Sequence, residues 1–276
     1  NPPTATAGSN SPVCVGTSIA LTASGGNSYT WSGPNGYTST DQNPVITNGM
    51  ATSSGTYQVT VTDVNNCTSS SSINVVVNNP PTATAGSNSP VCVGTSLALT
   101  ASGGISYAWS GPNGYTSSDQ NPIITNVQTT SSGAYQVTVT DAQSCTNTAS
   151  ILVSVLPKPF AIISSNSPVC IGSDLRLQLS GGISYLWSGP LNFSSITQNP
   201  IISGSTTANS GVYQAIVTGQ NGCTTTVTTD VIISGQLTIN PNYNQPVCEG
   251  DTIKLFTGNG ASFRWNGPTG FISLLQ

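Results

Sequence analysis

The chain has 276 residues, only four of them basic and eight acidic, no histidine, and a net charge of −4. So few cations can neither neutralise a phosphate backbone nor hold an anionic bilayer, which argues against nucleic-acid binding and polybasic membrane attachment. No apolar run reaches the ~18 residues of a spanning helix, so no membrane insertion is expected, and the missing histidine removes the usual base of Ser-His-Asp and Cys-His chemistry.

The chain opens at NPPTATAG, without the charged and apolar regions of a secretion signal, and reads as an internal piece of something longer. GSNSPVC follows at 8–14, a turn-rich phrase ending in cysteine. TSIALTAS then alternates with period two, placing Ile19, Leu21 and Ala23 on one side of a predicted strand. A strand through Tyr29 and Trp31 runs into GPNGY (33–37), where Asn-Gly supplies the positive φ of a tight hairpin turn. Beyond QNPVI (42–46), TYQVTVTD aligns Tyr57, Val59 and Val61, and SSINVVVN aligns Ile73, Val75 and Val77. No stretch holds a helical period.

All of this returns at a step of 78. Cysteines fall at 14, 92, 170 and 248 and again at 67, 145 and 223; tryptophans fall at 31, 109, 187 and 265; and Tyr57, Tyr135 and Tyr213 keep the same step. That period is too long for a solenoid turn and suits a small autonomous domain. The expected domains are 1–78, 79–156, 157–234 and a partial fourth at 235–276, with joints at Asn79-Pro80-Pro81, at Leu156-Pro157-Lys158-Pro159 and near Gly235-Gln236. Around seven short strands per repeat predict an all-β chain of tandem β-sandwiches in an extended rod. The partial fourth repeat stops before its second cysteine, and is completed either by further chain or by strands lent from another subunit.

The run PTATAG…VGTSIALTASGG…YTW…GTYQVTVTDVNNC resembles the Ig-like and PKD-like repeats of large Bacteroidota surface proteins, over essentially the whole chain. The resemblance implies an extracellular or cell-surface setting, as in adhesins, gliding-associated proteins and filaments exported by the type IX system. In an Ig-like frame Trp31, Trp109 and Trp187, with Trp265 in the partial repeat, pack in the core. Tyr57, Tyr135 and Tyr213 then lie at the strand corner with the hydroxyl bonded to the main chain. Asp251-Thr252-Ile253 resembles a Bacteroidota O-glycosylation motif, with Thr252 the acceptor.

The cysteines read as a disulfide framework, because each repeat holds two of them, no histidine and no CxxC. Same-repeat pairing, Cys14–Cys67, Cys92–Cys145 and Cys170–Cys223, makes each domain self-sufficient and leaves Cys248 to a partner elsewhere. It is favoured, yet the Ig-like frame puts the two cysteines of one repeat at opposite ends of the sandwich. Junction pairing, Cys14–Cys145 and Cys92–Cys223, would instead tie each domain to the next.

No phosphate loop, nucleotide fingerprint or paired carboxylates appear, so no enzyme activity and no cofactor is expected. Asp63 and Asp141 end equivalent strands, where a lone carboxylate forms a turn more often than it holds calcium; Gly219 takes that place in the third repeat. Whole-domain repetition adds length and valency, which points to a structural or adhesive stalk whose partners are other copies of itself or surface and glycan ligands. The competing reading is a spacer or carbohydrate-binding module of a secreted enzyme, with Tyr37 and Tyr115 as exposed aromatic platforms.

Overall fold

A computed structural model describes residues 2–235, 241–249, 252–258, 260 and 262–274. The Gln236 joint and Asp251 of the glycosylation motif lie outside them. The chain divides into two compact units, Asn1–Pro157 and Lys158–Gln276.

In the first unit the leading sandwich is built from β1 (Thr6–Ser9), β2 (Val13–Cys14), β3 (Ile19–Ser24), β4 (Ser28–Ser32), β5 (Thr38–Ser39), β6 (Val45–Ile46), β7 (Gly55–Thr62), β8 (Thr68–Val75) and β9 (Val77–Asn78). One sheet has the order β1-β3-β6 and the other β5-β4-β7-β8, while β2 and β9 form a short parallel pair. This two-sheet arrangement is Ig-like, and tandem Ig-like β-sandwiches are the fold of the chain. The same orders recur in the second sandwich, from Thr84–Ser87 to Val155–Leu156, and in the third, which lies in the second unit, from Ile162–Ser165 to Ile233–Ser234.

Period two drives the packing. Ile19, Leu21, Trp31, Tyr57, Val59 and Val61 turn inward and are buried, and their neighbours along each strand are mostly Ser, Thr or Gln facing outward. Equivalent clusters surround Trp109 and Trp187. The core is neutral and closed, and each indole satisfies its one donor: Trp31 Nε1 donates to Gln42 O, Trp109 Nε1 to Gln120 O and Trp187 Nε1 to Thr197 O. Trp265, in the short described strand Trp265–Asn266 of the last segment, is half-buried.

GPNGY forms the turn from β4 to β5, with Asn35 at φ 54° and Gly36 at φ 71°. The glycine before it matters for another reason. A Cβ at Gly33 would run into the Tyr57 ring, so only glycine lets that ring close over the turn.

The phrase SNSP is anchored by its own polar side chains. Asn10 Nδ2 donates to Ser18 O at 3.0 Å and its Oδ1 accepts from Ala20 N–H at 2.9 Å. Ser11 Oγ accepts from Val76 N–H at 2.7 Å, which ties the turn to the last strand. Asn88 and Ser89 repeat the pattern, as do Asn166 and Ser167.

Candidate functional site: a covalent joint between sandwiches

Two turns build the joint in the first unit. On one side, β2 pairs with β9 so that Cys14 lies opposite Asn78, beside the linker to the second sandwich. Thr17 Oγ1 and N–H both donate to Cys14 O, at 2.7 and 3.0 Å, fixing the cysteine's backbone.

On the other side is the hairpin between Gly133–Thr140 and Thr146–Val153. Asp141 Oδ1 accepts N–H groups from Gln143 at 2.9 Å and Cys145 at 2.8 Å. The carboxylate caps its own turn, which is what a lone aspartate at this place does. Asp63 does the same for Asn65 and Cys67. Among the described residues no group of three or more His, Cys, Asp or Glu gathers.

Cys14 is disulfide-bonded to Cys145, across 131 residues of sequence and 5.6 Å between Cα atoms. That separation lies inside the range a disulfide spans. The favoured same-repeat pairing is therefore corrected: Cys145 is taken by Cys14 rather than Cys92, while Cys67 and Cys170 carry free thiols, leaving Cys14–Cys67 and Cys170–Cys223 unformed. The reason is strand length. Cys14 precedes β3 and Cys67 follows the eight-residue β7, and eight residues at ~3.3 Å each hold opposite ends of one sandwich some 26 Å apart. Cys92 and Cys223 each take part in a disulfide as well.

A second tie acts at the same joint. Pro81 in the linker is buried, and Asn147 Nδ2 donates to its carbonyl at 2.9 Å. Proline limits the linker's own freedom, the amide holds it to the second sandwich, and the disulfide holds the first. Nothing in the sequence singles out Asn147, because the third repeat has Thr225 there, whose hydroxyl donates to Pro159 O instead.

The tyrosines lie at the strand corner. Tyr57, Tyr135 and Tyr213 hydroxyls donate to the carbonyls of Ser53, Ser131 and Asn209, each at 3.0 Å. Burial pushes all three phenols above the usual tyrosine range. Tyr37 and Tyr115 are not the exposed platforms expected of a sugar site. Each is half-buried and packs edge-on against Tyr57 or Tyr135, with ring centroids 5.5 and 5.6 Å apart.

What faces outward on the four-stranded sheet is neutral. Thr38, Ser32, Gln58 and Ser72 line up across four strands, as do Thr116, Ser110, Gln136 and Ser150, and Ser194, Ser188, Gln214 and Thr228. Thr252 is exposed.

No family model and no curated protein matches the chain. Among solved structures it is similar to the three N-terminal domains of the Highly Immunogenic Outer Capsid protein of bacteriophage RB49, at TM-score 0.35 and 13% identity over 85% of this chain and 98% of that one. It is also similar to murine CEACAM1b, at TM-score 0.32 and 13% identity over 55% and 100%. A third is Dpr2 Ig1-Ig2 in complex with DIP-Theta Ig1-Ig3, at TM-score 0.32 and 14% identity over 86% and 100%.

Proposed function

We propose that this chain is a structural repeat region of an extracellular surface protein or filament, a non-enzymatic stalk whose joints are stiffened by disulfides between successive sandwiches. The observation that carries this reading is the Cys14–Cys145 bond. A disulfide inside one sandwich would raise only that sandwich's stability. One between two sandwiches restricts how they move against each other, and that restriction serves a protein whose task is to hold a distance.

Two further features support it. Disulfides persist in oxidising compartments, which agrees with a secreted or surface location. The outward rows of Ser, Thr and Gln carry almost no charge, so little repulsion opposes contact with another copy or with a neutral glycan. The setting on a Bacteroidota cell, export by the type IX route, an adhesive role and glycosylation at Thr252 rest on the sequence resemblance alone. The division into repeats at 1–78, 79–156, 157–234 and 235–276 is part of the same reading, as is Cys92–Cys223 as the next joint of the series.

Small-angle scattering tests the proposal. Opening the joint by Cys14→Ser with Cys145→Ser should broaden the distribution of intramolecular distances while the far-ultraviolet circular dichroism of the sheets stays unchanged. An unaltered distribution rejects the stalk reading.

A further inference from the structure

The three-stranded sheet of the third sandwich departs from its two counterparts on the outward face. There Ile162 and Ser164 of strand Ile162–Ser165 lie opposite Ser180 and Gln178 of strand Leu175–Ser180, and Asn199 stands just before strand Ile201–Ile202. Together they line an open cleft of about 270 Å³. The first sandwich has Thr6, Gly8, Ser24, Thr22 and Asn43 at the same places. Its Thr6 Oγ1 and Ser24 Oγ hydrogen-bond to each other at 2.7 Å, and Thr22 Oγ1 lies over Gly8, where a Cβ would meet it at 2.7 Å. Both contacts recur in the second sandwich, between Thr84 and Ser102 and between Thr100 and Gly86. In the third, Ile162 has no hydroxyl to offer Ser180, and Ser164 with the longer Gln178 stands where glycine and threonine lie flat. Among the described residues Ser164 Oγ, Ser180 Oγ and the Gln178 amide have no hydrogen-bond partner in the chain. Asn199 is held by its Oδ1, which accepts Leu179 N–H at 2.9 Å and leaves Nδ2 to donate elsewhere.

We infer that this cleft of the third sandwich binds a neutral sugar residue of a glycan. Two hydroxyls and two amides can each donate to or accept from a ring of hydroxyl groups, as a sugar requires. Ile162, 54% exposed, adds an apolar edge against which the C–H face of a pyranose can lie. Arg176 on the same face is paired with Asp174 at 3.5 Å, so that cation is already answered and does not call for an acidic ligand. The cleft falls just below the ~300 Å³ at which small-molecule pockets begin, which suits one ring rather than several. Its polar groups are hydrated when empty, so exchanging water for sugar hydroxyls gains little, and the dissociation constant should be on the order of 1 mM. The inference deepens the glycan contact of the stalk reading and rests on that reading for its extracellular setting.

The test titrates the whole chain, labelled with nitrogen-15, with cellohexaose, maltohexaose, mannohexaose and chitohexaose, and with hexagalacturonate as the acidic control. The expected result is that at least one neutral oligosaccharide shifts the amide resonances of Ser164, Gln178 and Ser180. Two variants then locate the site. Gln178→Ala removes an exposed side chain, and Ile162→Thr with Ser164→Gly and Gln178→Thr installs the residues that the first sandwich already folds with. Each should weaken binding about tenfold or more while the remaining spectrum stays folded. No shift with any neutral oligosaccharide, tighter binding of hexagalacturonate, shifts centred on another face, or affinity unchanged in both variants overturns the inference. None of these variants touches Cys14 or Cys145, so a failed titration leaves the scattering test of the stalk as it was, and a failed scattering test leaves the cleft.

Discussion

In the first sandwich the turn after β7 hangs on one carboxylate, Asp63, which accepts two backbone N–H groups. In the third, Gly219 stands in that place and the Asn221 side chain accepts the Cys223 N–H at 3.1 Å. A Cβ at Gly219 would meet Asn221 Oδ1 at 3.0 Å and Pro159 Cβ at 3.2 Å, so a side chain there would press the asparagine that now holds the turn. The turn after the tryptophan differs as well. Asn35 and Gly36 take positive φ in the first sandwich, whereas Leu191 and Asn192 do so in the third, at 56° and 57°. The large inward rings are the same in the two, Trp31 and Tyr57 against Trp187 and Tyr213, while Ala23 and Val59 of the first core give way to Leu179 and Ala215 in the third, which adds volume at one place and removes it at another; turns can be rebuilt from different parts so long as they end in the same place.

The largest expected effect tests the shared part. Trp31→Ala and Trp187→Ala remove equally buried indoles, and each should cost its own sandwich about 3–5 kcal/mol. Hydrogen exchange resolved by sandwich reads both. Losses that differ by more than about 2 kcal/mol would break the equivalence of the two cores. Next comes the turn. Asp63→Ala strips a carboxylate from two N–H groups and should cost about 1.5–3 kcal/mol, against about 1 kcal/mol for Asn221→Ala, which removes one neutral acceptor. Faster amide exchange at Asn65 and Cys67 in the first variant is the direct signature; equal costs would mean that the carboxylate is not what holds the turn.

The cores and the alternation were legible in the sequence because they depend on neighbours two residues apart, and the step of 78 confirmed each strand against its copies. The disulfide partner was not. Every repeat presents the same two cysteines, so spacing alone leaves the choice between one sandwich and the next open, and only the placement of two folded sandwiches decides it. Asn10 and Ser11 mark a turn in the sequence, but their partners Ser18 and Val76 lie 8 and 65 residues away. The burial of Tyr37 is hidden from the sequence for a related reason: an aromatic next to Asn-Gly looks exposed, and it is Gly33, 24 residues before Tyr57, that admits the Tyr57 ring against the turn.

Smaller effects follow from the altered turn. Leu191 is 67% exposed and takes the left-handed conformation, which costs a side chain with a Cβ about 1–2 kcal/mol. Restoring the first sandwich's residues by Leu191→Asn with Asn192→Gly should therefore stabilise the third by about 1 kcal/mol, read as a rise in its denaturation midpoint. A fall would show that the leucine makes packing contacts worth more than the strain.

The subtlest difference concerns alkaline pH. Burial raises the Tyr57 and Tyr213 phenols above 10.0, and a second cause differs between them: the nearby Tyr37 raises Tyr57 further, whereas a hydrogen bond with the Asn209 side chain lowers Tyr213. Phe193 replaces Tyr37 in the third sandwich and carries no charge to repel a phenolate. A raised folded value means that the stability contributed by the neutral phenol is complete below the unfolded value of about 10 and is lost as pH climbs through the folded one. Both sandwiches should accordingly hold their stability up to about pH 10, with no histidine to tilt it near neutrality, and then begin to lose it together as the unfolded phenols ionise, while in the folded chain the differing second cause should let Tyr213 ionise before Tyr57. Ultraviolet titration of tyrosinate, comparing Tyr57→Phe with Tyr213→Phe, separates the two. If removing Tyr57 deletes the earlier of the two steps, the order is reversed, and the environment of the ring rather than its aromatic neighbour sets the difference between the two corners.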